Sequence, residues 1–236
     1  MTASFKKKFL NTCRWLSMIF SYVHSESISS ALTNGVCIRA IPPSVDRIAY
    51  NNDMEKITPR RFAIIQITSA DQITPNMKTS LVELLADSIA HNYSVGFMND
   101  STSEDYEEFW RQEFSKINSK NGIFLAVADE QVLGSVIVTP ESRANGKHRG
   151  EFRKLLVHSL AQKIGIGSAL ERAATEYARS IGLSLLFLDS ATNFLVEGVY
   201  EQWGWKMSGE IPQYAKNPDG ELVSTWFFYK LLNTEK

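Results

Sequence analysis

The chain has 236 residues, 44% of them hydrophobic and 22% charged, with a formal net charge of −1. A chain of this size and composition can bury a domain-sized core, which argues against a disordered polymer. The near-balanced charge lacks the single-sign field on which non-specific nucleic-acid binding rests, so no nucleic-acid partner is expected. The two cysteines, Cys13 and Cys37, have no metal-ligand spacing, so neither a disulfide framework nor a metal site is implied.

No apolar run approaches the ~20 residues that cross a bilayer, and no membrane partner is expected. Near the start, Lys6, Lys7, Lys8 and Arg14 precede a mildly apolar stretch from Trp15 to Val23, and no acidic residue comes before Glu26. That pattern loosely resembles a targeting peptide, but Ser17 and Ser21 interrupt it and no small-residue cleavage site follows. From Ser25 to Arg60 the chain is rich in Ser, Asn and Pro and lacks sustained periodicity. Residues 1–60 therefore read as a poorly ordered N-terminal extension and residues 61–236 as the folded domain. A cytoplasmic location is expected, with organelle targeting through the basic segment as the alternative.

Phe62 to Thr68 is a β-branched run of strand length, and Thr74-Pro75 supplies an N-cap and a first helical residue. Met77, Leu81, Leu84, Leu85 and Ile89 continue at helical spacing until Ser94 to Met98 interrupts. Ser101 and Glu104 form a capping-box pattern before Tyr106, Phe109, Trp110, Phe114 and Ile117, and Asn121-Gly122 stops the second helix. Ile123 to Ala128 and Val132 to Val138 predict a hairpin turning at Asp129-Glu130-Gln131. After a polar loop, Glu151 to Val157 predicts a strand, Ser168 to Ile181 a helix closed by Gly182, and Leu183 to Leu188 a buried strand. Phe194 to Trp203 predicts a short helix. Two last strands, Trp205 to Gly209 and Ser224 to Leu231, are expected to flank a proline-containing loop, and no repeat is present.

The sharpest local signal is Val157, four residues, then Gln162-Lys163-Ile164-Gly165-Ile166-Gly167 between a strand and a helix. Glycines there keep side chains clear of a row of backbone N–H groups at a helix N-terminus, an arrangement suited to a pyrophosphate. The alternative is a tight turn that needs two glycines for geometry alone. There is no Gly-Lys-Ser/Thr, so this is not a Walker A loop. A dinucleotide fingerprint would need a small residue where Leu170 stands, although Asp189 ends the next strand where a ribose-binding acid would sit. The antiparallel hairpin before Glu151 argues against that doubly wound fold.

The string Val157-x4-Gln162-x-x-Gly165-x-Gly167 resembles motif A of the GNAT acetyltransferases, and Val199-Tyr200-Glu201-Gln202-Trp203-Gly204-Trp205 resembles their motif B. Within that superfamily the chain is most similar to tabtoxin-resistance-type acetyltransferases. That likeness is carried by Ser94 to Met98, Glu151-x-x-Lys154-Leu155-x-Val157, Gly209-Glu210-Ile211-Pro212, and Asn217-Pro218-Asp219-Gly220 with Thr225. The resemblance covers roughly Phe62 to Leu232. It implies an α+β fold with a twisted, mostly antiparallel sheet flanked by helices and splayed after Glu151 to Val157. It departs from the family at Ser159, usually Pro, and at Lys163 and Ile164, usually a Gly and a basic residue.

What the resemblance implies for function is transfer of acetyl from acetyl-CoA, as cosubstrate, to a primary amine of a small molecule, by a monomer or homodimer. Backbone N–H groups near Leu156 and Val157 would face the thioester and pantetheine arm. Those of Gln162, Lys163, Ile164, Gly165, Ile166, Gly167 and Ser168 would hold the pyrophosphate. Glu151 stands where several members keep a carboxylate, and strand alternation would place it on one face with Arg153 and Leu155. It is the candidate base, or else a strand-edge glutamate paired with Arg149 or Arg153. Tyr200 is the candidate acid for the leaving thiolate, or else a core tyrosine beside Trp203. Phe97, Met98, Trp110 and Tyr214 are candidates for an acceptor pocket, and His91, His148 and His158 are expected at scattered surface positions. An alternative function is a non-catalytic acyl-CoA-binding or sensor domain, against which Glu151 and Tyr200 argue.

Overall fold

A computed structural model describes residues 61–117, 120–192 and 194–232, with the backbone alone for 194–197. The extension and targeting expectations fall on residues 1–60, outside the described residues.

The first strand, β1, is Ala63–Ile67, and helix α1, Pro75–Ala90, follows it. Thr74 caps α1 by accepting the Met77 N–H at 3.2 Å, with Pro75 in the first turn where its missing N–H costs nothing. The apolar stripe Met77, Leu81, Leu84 and Leu85 is buried, each such leucine contributing roughly 1.5–3 kcal/mol relative to exposure. Helix α2, Ser103–Ser115, begins one residue later than the Ser101/Glu104 pattern predicts. Ser101 is taken: its Oγ accepts the Met98 N–H at 3.1 Å and closes the preceding turn. Thr102 and Asp105 form the capping box instead.

Strands β2, Gly122–Ala128, and β3, Gln131–Pro140, make the predicted hairpin. Asp129 and Glu130 both take positive φ, 49° and 62°, as a tight two-residue hairpin turn requires. After β4, Arg149–Val157, come α3, Ile166–Ser180, β5, Leu185–Ala191, and α4, Phe194–Gln202. The chain then makes a long hairpin of β6, Lys206–Lys216, and β7, Leu222–Leu231. The expected loop around Pro212 is strand: two register shifts, at Met207/Gly209 and Ile211/Ala215, absorb the proline and the left-handed Gln213 on an edge strand. Strand β5 extends past Leu188 through polar Asp189 and Ser190, because these pair with Phe227 and Trp226 of β7.

The seven strands order as β1-β2-β3-β4-β5-β7-β6, antiparallel except for β4 beside β5. Helices α1 and α2 cover one face around Leu81, Leu84, Trp110 and Ile137, and α3 covers the other around Leu170, Ala174, Val136 and Phe152. This is the α+β sheet architecture expected from the sequence. Among the described residues no helix is long and apolar enough to cross a membrane.

The capping arrangement sets a test. Thr102→Ala should lower the stability of the folded chain by about 1 kcal/mol. Glu104→Ala, which removes no cap, should cost only a few tenths of a kcal/mol, as surface changes do. Urea denaturation midpoints of both variants check the shifted helix start.

Candidate functional site

The site is built where two neighbouring strands part. Strands β4 and β5 pair only from Arg149, Gly150 and Glu151 to Leu185, Leu186 and Phe187. Beyond Glu151, β4 takes a bulge: Ser135 to Ile137 on β3 faces Leu156 to Arg153, three steps against two. Lys154 sits in the bulge with φ 54°, and the extra residue bends the strand away from β5.

The bulge also reverses which side chains face which helix layer. Phe152 belongs to the α3 side, and so would Leu156 by simple alternation; instead Leu156 joins the α1/α2 side and Leu155 and Val157 pack toward α3. Glu151 and Arg153 share a face as expected, but Leu155 does not share it, a correction forced by the one-residue bulge.

Past the bulge, Gly134 and Val157 face each other, and the His158 N–H donates to the Leu133 carbonyl at 2.9 Å. Gly134 and Val157 are thus a non-hydrogen-bonded pair, so the Val157 N–H and carbonyl point away from β3, into the gap. Leu156 forms the adjacent hydrogen-bonded pair with Ser135, and its backbone points back to β3, while its side chain packs in the α1/α2 core.

Just beyond, the chain enters α3 through a row of backbone donors. Gln162 is extended, Lys163 is left-handed at φ 65°, and Gly165 is left-handed at φ 93°. Among the described residues no backbone hydrogen bond is donated by Gln162, Lys163, Ile164, Gly165, Ile166, Gly167 or Ser168; the first in this stretch is Ala169 N–H to Gly165 carbonyl at 3.0 Å. Gly165 offers no side-chain cap and α3 has no acidic residue in its first turn. A β-carbon on Gly165 would meet nothing within 4 Å, and one on Gly167 would touch Trp203 at 3.4 Å. The row is uncapped, open and positively poled, and it fits a pyrophosphate. The left-handed turn at 163 explains why the resembled family usually has glycine in this loop, and Lys163 holds that conformation at a cost.

On the other side of the gap lies a cavity of about 470 Å³. Glu151, Arg153, Lys154, Asp189 and Tyr200 line it, with Phe97, Met98 and Lys216. Of the aromatic candidates, Phe97 therefore lies at the cavity. Trp110 is in the core with its Nε1 donating to the Leu81 carbonyl at 2.9 Å, and Tyr214 is exposed against Phe227. Segment 92–99 is held to the end of the β6–β7 hairpin by four hydrogen bonds. Ser94 Oγ donates to Lys216 O at 2.8 Å and Asn99 N–H to Pro218 O at 3.0 Å. Asn92 Nδ2 donates to Asp219 Oδ2 at 2.9 Å, and the Asp219 N–H returns to Asn92 Oδ1 at 3.3 Å. Lys154 Nζ donates to Val95 O at 2.6 Å and lies 5.3 Å from the Phe109 ring centre, fixing the same segment from below. Burial, and then neighbouring Arg153, push the Lys154 ammonium below its ordinary pKa.

The charges in this cavity are sorted. Arg149 pairs with Glu141 at 3.2 Å, and Arg153 pairs with buried Glu113 and with Thr139 Oγ1 at 3.0 Å. Neither arginine takes Glu151, and no hydrogen bond or ion pair to Glu151 or Asp189 exists among the described residues. The two carboxylates share a face, because Glu151 is level with Phe187 and Asp189 lies two residues further along β5. Tyr200 is 8% exposed, packed edge-to-face against Trp203 and Trp205 and tilted against Phe228, and it lines the cavity with no hydrogen-bond partner for its phenol among the described residues. Burial, and secondarily Asp189 and Glu171, push its pKa far above the ordinary tyrosine value. Trp205 is itself fixed by Glu171 on α3, which also accepts from Thr175 at 2.8 Å and Lys230 at 2.8 Å.

Asp189, expected from the sequence only as a ribose-binding acid in a rival fold, thus lies at the same cavity as Glu151. Glu113, which orders Arg153, carries no sequence motif. His91 and His158, expected at scattered positions, both approach Asp87, at 3.4 and 4.0 Å. No group of three or more His, Cys, Asp or Glu among the described residues could hold a metal ion.

A parted sheet with free amides at a helix N-terminus on one side and a carboxylate-lined cavity on the other defines an acyl-transfer class of fold. A sequence model of the acetyltransferase (GNAT) family matches residues 86–205, and the chain belongs to that family. Three solved structures share the fold. A ribosomal-protein-alanine N-acetyltransferase from Brucella melitensis is 20% identical, with a TM-score of 0.60, covering 72% of this chain and 99% of its own. A Salmonella typhimurium protein, provisionally assigned as an acetyltransferase and solved with its cofactor acetyl-CoA, is 15% identical, with a TM-score of 0.61 and coverage of 75% and 96%. An N-acetyltransferase from Staphylococcus aureus is 15% identical, with a TM-score of 0.60 and coverage of 72% and 99%.

The two left-handed positions of the loop set opposite expectations. Gly165→Ala should lower stability by about 1 kcal/mol through backbone strain alone, since the space around it is open. Lys163→Gly should raise the melting temperature or leave it unchanged, because it removes the same strain. Thermal denaturation of the pair decides it.

Proposed function

We propose that this chain is an acetyl-CoA-dependent N-acetyltransferase acting on a primary amine of a small molecule. The observation that carries the reading is the junction of two sites at one parting of strands: the gap-facing Val157 backbone and the free amides from Gln162 to Ser168 on the cofactor side, unpaired Glu151 and Asp189 with Tyr200 on the acceptor side. Acetyl-CoA supplies an acyl group on sulfur, activated for attack by an amine.

The residues divide the work. The N–H groups of Gln162 to Ser168 hold the pyrophosphate, and the gap-facing backbone of Val157 directs the pantetheine arm toward the bulge. Only a neutral amine attacks, so Glu151, directly or through a water, takes one proton from the bound ammonium before its nitrogen bonds to the acetyl carbon. Asp189 holds the ammonium form before that step. Glu151 passes that first proton to solvent; as the carbon–sulfur bond breaks, Tyr200 gives its proton to the departing thiolate, and the second proton shed by the acylated nitrogen replaces it on Tyr200. Glu151 and Tyr200 are restored, and no covalent enzyme intermediate forms. Resemblance to tabtoxin-resistance-type sequences favours an amino-acid-like acceptor, and a cavity with both carboxylates and Lys154 suits a compound bearing an amine and an acidic group.

Tyr200→Phe keeps the ring packing and removes the proton. Turnover in an amine screen that follows free thiol release should fall about 10²-fold, the usual range for a general acid, with coenzyme A affinity unchanged. Equal turnover in parent and variant would remove the acid role, and a parent that binds coenzyme A but acetylates no amine would favour the sensor alternative. The raised phenol pKa adds a pH signature. Because burial favours the neutral form, Tyr200 stays protonated through the ordinary tyrosine value of about 10, so no alkaline loss of activity below that pH should come from its ionisation. A pH–rate profile shows this if its alkaline limb is the same in parent and Tyr200→Phe.

A further inference from the structure

Helix α1 ends with a carboxylate where a helix disfavours one. Asp87 lies in the last turn, near the negative pole of the helix dipole, and is 8% exposed. Both the position and the burial are unfavourable for a charged acid. One residue offsets them: Ser159 donates its backbone N–H to Asp87 Oδ2 at 2.8 Å and its hydroxyl to Oδ1 at 2.7 Å. His91 Nδ1 stands 3.4 Å from the same Oδ1, and His158 Nε2 4.0 Å from it.

Ser159 is not an arbitrary partner. It opens the single 3-10 turn, Ser159–Ala161, that carries the chain from the end of β4 to Gln162 and the row of free amides. On its β4 side the turn is held by the His158 N–H on Leu133 and by the Leu160 N–H on His158 Nδ1 at 3.3 Å. The Asp87 carboxylate is the clamp on its α1 side. Proline, usual at this position in the resembled family, would set the backbone of a first helical residue by its ring but could donate neither hydrogen bond. Here a hydrogen-bonded pair takes the place of a ring. A local conflict that folding alone would remove, maintained beside a ligand loop, points to function.

We propose that Asp87 is a positioning residue for the cofactor site: through Ser159 it fixes the direction in which the chain leaves β4, and with it the alignment of the amides from Gln162 to Ser168 on a pyrophosphate. This role rests on the acetyl-CoA reading above. Asp87 touches no substrate, so the effect belongs in cofactor affinity and not in the chemical step.

The test is a calorimetric titration of coenzyme A into the full chain and three variants, with steady-state kinetics and melting curves on each. Asp87→Leu should weaken coenzyme A binding and raise the acetyl-CoA KM about tenfold, the worth of hydrogen bonds to a charged group, with kcat within twofold. Adding Ser159→Pro to Asp87→Leu should recover most of that loss, because the ring fixes the turn and leaves no orphaned donor. Ser159→Ala, the mildest change, removes only the hydroxyl bond and should weaken binding about threefold even if Asp87→Leu fails to fold. Coenzyme A affinity unchanged in Ser159→Ala and Asp87→Leu, with only the melting temperature lowered, would overturn the role. A parent that binds no coenzyme A would overturn the functional reading itself, an outcome distinct from a loss confined to the variants.

Discussion

The parting of β4 from β5 is the constraint on which the rest of the structure depends. In an unbroken sheet every backbone N–H of β4 would be spent on a neighbour, and buried polar backbone left unpaired would be costly. Here the pairing stops at Glu151 and Phe187, and the backbone of Val157 faces an open gap. The fold tolerates this because β5 finds its second partner in β7, through seven paired positions from Leu185 to Ala191. The loss at one edge is therefore local, and both β4 and β5 remain anchored in the sheet.

Around the gap the charges are arranged by occupation. Two arginines flank Glu151 on its own strand, and either could have neutralised it. Arg149 is engaged by Glu141 and Arg153 by Glu113, which leaves Glu151 and Asp189 of the cavity without an ion-pair partner among the described residues. Glu171 has a related role behind Tyr200, gathering Thr175, Trp205 and Lys230 so that the Trp205 ring beside the phenol is fixed by one satisfied buried carboxylate. Those carboxylates, Glu113 and Glu171, are only 3% and 5% exposed, in keeping with a structural use for them.

Periodic and glycine-marked features were legible in the sequence. Thr74-Pro75 and the stripe from Met77 to Ile89 define α1 because capping and burial act within a few residues. The Gly165-x-Gly167 turn and Tyr200 were legible because a motif concentrates its chemistry locally. What escaped is what depends on a single inserted residue or on distant partners. Nothing in Arg153-Lys154-Leu155 announces a bulge, yet that residue decides which face Leu155 and Leu156 occupy. The second half of β6 reads as a loop because Pro212 forbids a regular ladder, and the edge position that permits it is a tertiary fact. Asp87 reads as one more polar residue of a helix until Ser159, 72 residues away, is brought against it.

The hydrogen bonds that join segment 92–99 to residues 216–219 carry a consequence for how the molecule is made. Ser94 meets Lys216 across 122 positions of sequence, and Asn92 meets Asp219 across 127. Contacts of such separation repay their loop-closure entropy only late in folding, when the intervening strands are already in place. The helices and the β2–β3 hairpin can form from local contacts, but the cavity lined by Glu151 and Asp189 waits for the last hairpin to dock. A chain stopped short of β7 by a nascent-chain stall or a nonsense codon would leave β5 without its antiparallel neighbour, so the cavity lined by Glu151 and Asp189 is completed only as synthesis of the last hairpin ends.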